Sequence, residues 1–198
     1  LKAELVESNY RPVPLKEGVH FHQKVVFKGE DELELEKEDP LEALLDNTLA
    51  QKKQALVFAN TRMRAESLAK QSAVIIYPKI IPEEKKQLEK VAAKIENALE
   101  SPTEQCKKLA SLVRSGVAFH HAGLVQRQRE LVEDHFKEGL LKVISSTPTL
   151  AAGINLPAFR VIITSLQRYD FGGMVSIPMR EYFQMAGRAG RPKYDSAG

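Results

Sequence analysis

At 198 residues, 43% hydrophobic and 28% charged, the chain is long enough to bury one ordinary core and too apolar for a disordered segment. A net charge of +3 excludes an overwhelming basic field, and the single cysteine, Cys106, excludes an internal disulfide and fits a reducing compartment. No apolar stretch is long enough to span a bilayer and no signal peptide is recognisable, so the expected location is cytoplasmic. The charge is unevenly spread. Residues 29–39 read GEDELELEKED, whereas Lys107, Arg114, Arg127, Arg129, Arg168, Arg180, Arg188 and Arg191 gather basic charge in the C-terminal half, where a polyanion would be drawn.

Leu1 to Leu15 carries Arg11-Pro12-Val13-Pro14, and each proline favours extended geometry before it, so this part reads as a connecting arm. His20 to Phe27 reads as an extended segment or edge strand. Arm and strand together occupy 1–38, ahead of a main domain over 39–198. His20 and His22 have a metal-like spacing with no carboxylate or thiol pattern to complete it, and no metal site is expected. Asp39-Pro40 opens a helix: the aspartate can cap, the proline fits the first turn, and Glu42 stands where a capping box places its acid. Leu41, Leu44, Leu45, Thr48 and Leu49 make its apolar stripe.

Ala55 to Ala59, ALVFA, has the unbroken apolar character of a strand covered on both faces. Asn60-Thr61 can cap a helix from Arg62, with Ala65, Leu68 and Ala69 inward. A helix start beyond a parallel strand offers free N–H groups to a phosphate, and Thr61 and Arg62 would add a hydroxyl and a guanidinium; a plain cap beside an exposed arginine is the alternative.

Val74 to Pro82 reads as a connection. Two helices follow as an insertion over about 83–114, the first with Leu88, Val91, Ala92, Ile95 and Leu99 on one face, the second restarted by Ser101-Pro102-Thr103-Glu104. Cys106 shares a face with Leu109, Ala110 and Val113 and reads as core filling. Val117 to Phe119 is a strand leading through His120, His121 and Gly123 into a helix with Val125, Val132, Phe136 and Leu140 inward and Gln126, Arg129 and Glu133 outward. A loop position suits the two histidines to backbone or phosphate contacts better than to a metal.

Lys142 to Ser146 is a strand, and the hydroxyls after it, from Ser146 and Thr147 onward, fall at the usual ligand edge of an open α/β sheet. Arg160 to Thr164 reads as a further buried strand. Ser165 to Ile177 reads as a hairpin turning at Gly172-Gly173, with Tyr169, Phe171 and Met174 near its tip; these side chains either stack on bases or fold back on the core. Last comes QMAGRAGRP, Gln184 to Pro192. Continued as a helix, it sets Gln184, Arg188 and Arg191 on one face, and arginine forks suit phosphate oxygens. A glycine-terminated helix end with two solvated arginines is the alternative.

Strands alternating with helices give a parallel α/β sheet. The ordered stretches VFANTRMRAE, AFHHAGLVQRQRE, VISSTPTLAAGINLP and QMAGRAGRP resemble the later motifs of superfamily 2 helicases, in the superkiller-like branch that includes the archaeal Hjm-type DNA helicases and their animal relatives. The likeness covers nearly the whole chain. It implies the second of two RecA-like motor domains, a three-layer α/β/α fold with a mainly parallel sheet, a helical insertion and a β-hairpin.

By this resemblance Arg188 and Arg191 face a triphosphate across the domain cleft and Gln184 couples them. Gly153 and Asn155 touch the nucleotide sugar, although Asn155 stands where many members have aspartate. Thr61, Arg62, His121, Gly123, Ser146 and Thr147 contact the backbone of the tracking strand, and Ser165 to Ile177 parts the duplex. The cofactors implied are ATP and Mg2+, bound mainly by the first motor domain, because no GxxxxGK[ST] loop occurs in this chain. The partners implied are single-stranded and forked DNA and the first RecA-like domain of the same full-length protein, with the piece itself a monomer and the location nucleoid-associated. Translocation 3′ to 5′ in fork repair or recombination follows, the alternatives being the equivalent domain of an RNA helicase or a non-catalytic nucleic-acid-binding module.

Overall fold

The stretch from Gly18 to Phe27 folds back on itself. In the computed structural model, which describes residues 11, 13–29, 31–148, 156–170, 172–191 and 195–198, it forms a three-stranded antiparallel sheet with Glu32–Glu34. The strands are β1 (Gly18–Phe21), β2 (Lys24–Phe27) and β3 (Glu32–Glu34). A turn at His22, with φ at 52°, makes a hairpin of the stretch expected to run as one extended segment. The reason is burial. Pairing Val25 with Leu33 brings both against Leu35 and Ala43, a cluster that one strand could not assemble.

Helix α1 (Pro40–Ala50) starts as its sequence predicts: Pro40 occupies the first turn and the Asp39 carboxylate accepts a hydrogen bond from Glu42 N at 2.8 Å. The Glu42 carboxylate pairs with Lys37. Leu41, Leu45 and Thr48 are buried as expected, and Ala43 joins them against the first sheet.

β4 (Ala55–Phe58) is buried at every position and leads directly into α2 (Arg62–Ile76), whose cap is Thr61. α2 runs through Val74–Ile76, where a connection was expected, because Ala69, Ala73 and Ile76 prolong its buried face at helical spacing. A short 3₁₀ turn, Tyr77–Lys79, then absorbs Pro78. α3 (Pro82–Glu96) and α4 (Glu104–Arg114) pack side by side, and Cys106 is buried on the α4 face predicted for it.

The remaining elements are β5 (Val117–His120), α5 (Gln126–Lys137), β6 (Val143–Ser146), β7 (Arg160–Ile163), β8 (Gln167–Asp170), β9 (Gly173–Ser176) and α6 (Met179–Ala186). β4 to β7 form one parallel sheet in the order β5-β6-β4-β7. Phe58, Phe119, Phe136, Leu56 and Ile144 are fully buried in its core. β7 is half-buried, not the buried strand expected; among the described residues it pairs with β4 alone, and unlike the other edge strand, β5, which is buried at every position, it is not fully covered. The Arg160 guanidinium reaches back to α1, donating to Leu44 O at 2.8 Å, Thr48 Oγ1 at 2.9 Å and Asn47 Oδ1 at 2.8 Å, and burial pulls its pKa down to about 10. Among the described residues no helix is long and apolar enough to cross a membrane.

Candidate nucleic-acid and nucleotide interface

Parallel strands end on one side of their sheet, so the described residues just past β4, β5, β6 and β7 share one edge. Every described residue expected to touch a strand backbone is on this edge, but most of their polar groups are already used within the chain. The Thr61 hydroxyl accepts from Arg64 N at 3.1 Å and Thr61 O from Ala65 N, which leaves the exposed Arg62 side chain and the Arg62 and Met63 amides, without intrahelical acceptors, at the start of α2.

His121 is only 3% exposed; its ring stacks on Phe119 with centroids 5.1 Å apart. Its Nδ1 accepts from Gly123 N at 3.1 Å and its Nε2 lies 3.2 Å from Glu66 Oε1. The Gly123 amide is therefore committed to the ring. A side chain at 123 would press on it, since a Cβ there would stand 3.0 Å from His121 Nδ1. Ser146 is fully buried and its hydroxyl donates to His120 O at 2.8 Å, tying β6 to β5, while Thr147 is 8% exposed. In this structure the His121 ring, the Gly123 amide and the Ser146 hydroxyl are engaged within the chain, so these residues shape the edge on which a strand contact is expected. Glu133, expected outward, turns in to His120 Nε2 at 3.0 Å, because burial leaves that nitrogen no solvent.

The hairpin rises from the same edge. Asn60 donates to Gln167 O, Thr164 Oγ1 donates to Phe58 O at 2.9 Å, and Arg168 pairs with Glu181 of α6 at 2.7 Å. Tyr169 and Met174 face each other across β8 and β9 and are 80% and 60% exposed. Phe171 lies outside the described residues, as do Gly153 and Asn155.

α6 stops at Ala186, so Gln184, Arg188 and Arg191 do not share one helical face. The chain turns instead at Gly190, with φ at +82° and no room for a Cβ, which would meet Val13 Cγ1 at 2.6 Å. Arg11 of the arm donates to Ala189 O at 2.6 Å, and Ala158 N and O bond to Arg188 O and Gly190 N at 2.9 and 2.7 Å. Gln184 stays half-buried near the end of α6 and Arg188 sits in the turn after it, where burial lowers its pKa.

Arg191 is held from two sides: Nε donates to Asp195 Oδ2 at 3.1 Å and Nη1 to Gln54 Oε1 at 2.9 Å. Gln54 is fixed in turn by donating to Phe136 O and Leu141 O, both at 2.6 Å. Burial pushes the Asp195 carboxyl up, but Lys53 at 2.5 Å and Arg191 outweigh it and hold it below its usual range. Sequence reasoning missed Gln54, Glu66 and Asp195. Only Asp195 left a signal, standing four residues from Arg191.

Residues 91–193 match the helicase conserved C-terminal domain, a span that runs from within α3 to just past Arg191 and takes in the whole edge except β4 and the start of α2. The chain belongs to the helicase C-terminal domain family. Along its whole length it is similar to the ATP-dependent DNA helicase Hel308 of Methanocella arvoryzae, 48% identical over 200 aligned residues, and to the Hel308 proteins of Pyrococcus horikoshii and Pyrococcus abyssi, each 46% identical over 198 residues. It spans 27% of the length of each. The fold is accordingly the RecA-like α/β fold of this helicase domain, and the N-terminal sheet outside the family span lies within the stretch shared with the Hel308 relatives.

Proposed function

We propose that this is the second motor domain of an ATP-dependent DNA helicase that moves 3′ to 5′ along a single strand and acts on forked DNA in repair or recombination. The observation that carries the reading is the end-to-end likeness to relatives named ATP-dependent DNA helicases. The nucleotide's phosphates and Mg2+ would be held by the first motor domain, because this chain has no glycine-lysine phosphate loop. The residues here fit the complementary part. Arg188, in a turn fixed to Ala158 and half removed from solvent, is the finger that would meet charge developing on the transferred phosphoryl group. Arg191 adds positive charge from a fixed position and anchors the turn, and Gln184 couples it to α6. Gly153 and Asn155 remain the candidates for the sugar.

Strand binding rests on Arg62, the amides at the start of α2, and the turn 121–124 beside them, with Thr61, Ser146 and Thr147 shaping that edge. Cleft closure and opening would move this grip relative to that of the first domain, which turns ATP hydrolysis into steps. The test is Arg188→Ala in the full-length protein. Strand-stimulated ATP turnover should fall by about 10³-fold or more with ATP affinity little changed, and DNA should stimulate the unaltered protein more than RNA of the same sequence. Unchanged turnover would remove Arg188 from this role.

A further inference from the structure

His121 connects the strand-facing edge to the helical pair α3–α4. Its Nδ1 accepts from Gly123 N, so the ring proton of the neutral imidazole sits on Nε2, facing the Glu66 carboxylate on α2. One tautomer satisfies both contacts. The same carboxylate pairs with Lys108 on α4, and Gln105 of α4 approaches the place a Cβ on Gly123 would occupy, at 3.5 Å. The turn beside Arg62 is thus fixed by α2, α4 and β5 together, and no local sequence pattern links these residues.

We propose that Glu66 is a positioning residue for the strand grip: held by Lys108, it orients the His121 ring, the ring orients the turn Ala122–Leu124, and α3–α4 thereby sets how firmly this edge holds a nucleic-acid backbone. The proposal rests on the helicase reading above.

The chemistry gives it a signature that general destabilisation lacks. Protonating His121 places a hydrogen on Nδ1 against the Gly123 N–H, so the turn must open as pH falls. The groups facing the ring are Glu66 and Arg62 from α2, Lys108 of α4 through Glu66, and His120 of β5, itself paired with Glu133 and close to Arg129 of α5. Burial lowers the His121 pKa, Glu66 raises it and Arg62 lowers it. Removing the Glu66 charge must therefore make the turn more resistant to acid, and removing Lys108 must make it less so.

The experiment follows binding of a fluorescein-labelled oligo-dT strand to the full-length protein by anisotropy from pH 5 to 8 at constant salt, alongside strand-stimulated ATP turnover. The pH at which affinity is half lost should move down by about half a unit in Glu66→Gln and up by about as much in Lys108→Met. In both variants the half-saturating strand concentration should change several-fold more than the maximal rate. Lys108 is half exposed, so its variant reads the same linkage even if Glu66→Gln folds poorly. Midpoints that coincide with the unaltered protein, or that move in the same direction, overturn the proposal while leaving the helicase reading intact. An unaltered protein that binds no strand at any pH overturns that reading and this proposal with it.

Discussion

The carboxyl edge of the parallel sheet and the β8–β9 hairpin meet at Asn60, yet they are built on opposite terms. At the edge, His121, Gly123 and Ser146 spend their polar groups on one another, on Glu66 of α2 and on the neighbouring strand β5, so shape and stability come from the same contacts. The hairpin is tied down at its base by Asn60 and Arg168 while Tyr169 and Met174 stand out in water. A substitution at the edge should therefore be felt first as lost stability, and one at the hairpin only as lost work on a partner.

The largest expected effect tests the edge. Phe119 is fully buried in the sheet core and carries the His121 ring, so Phe119→Ala should cost about 3–5 kcal/mol in urea unfolding and weaken strand binding with it. A smaller effect comes from acid. Burial lowers the pKa of His120 and of His121 despite Glu133 and Glu66, which raise them. A histidine with a folded pKa below its unfolded value of about 6.5 contributes its full stability above that value and loses it as pH falls through the folded pKa. The melting temperature should accordingly be flat near neutrality and drop below pH 6.5 by a few degrees, and His120→Phe should reduce that drop. An identical acid profile in the variant would mean that His120 is not part of it.

What the sequence reveals about these regions follows the same division. ALVFA at 55–59 and the cap at Thr61 are legible because a continuous apolar run and a hydroxyl before a helix have few other physical uses. The partial exposure of β7 is not legible, since VII reads alike in a covered strand and in a half-covered one, and the sheet has both kinds of edge, β5 buried throughout and β7 not. The contacts His121–Glu66 and Arg191–Gln54 join residues 55 and 137 positions apart, and no periodicity reports on such pairs. The motif at 184–192 announces arginines but not where its helix stops, which depends on Val13 filling the space beside Gly190 and on Arg11 reaching the last carbonyls.

The smallest stability effect belongs to the hairpin, and it is the most discriminating. If Tyr169 and Met174 serve only an external partner, Tyr169→Ala and Met174→Ala should each shift unfolding by less than about 0.5 kcal/mol, as exposed positions do. Stacking one base on an aromatic ring is worth about 1–3 kcal/mol, so Tyr169→Ala should still slow unwinding of a forked duplex severalfold, and by more than it slows ATP turnover. Met174→Ala, which removes the cross-strand partner but no ring, should do less. Equal losses in stability and unwinding would mean that these side chains pack on the protein in solution, and the hairpin would then belong with the edge as a structural part of the domain.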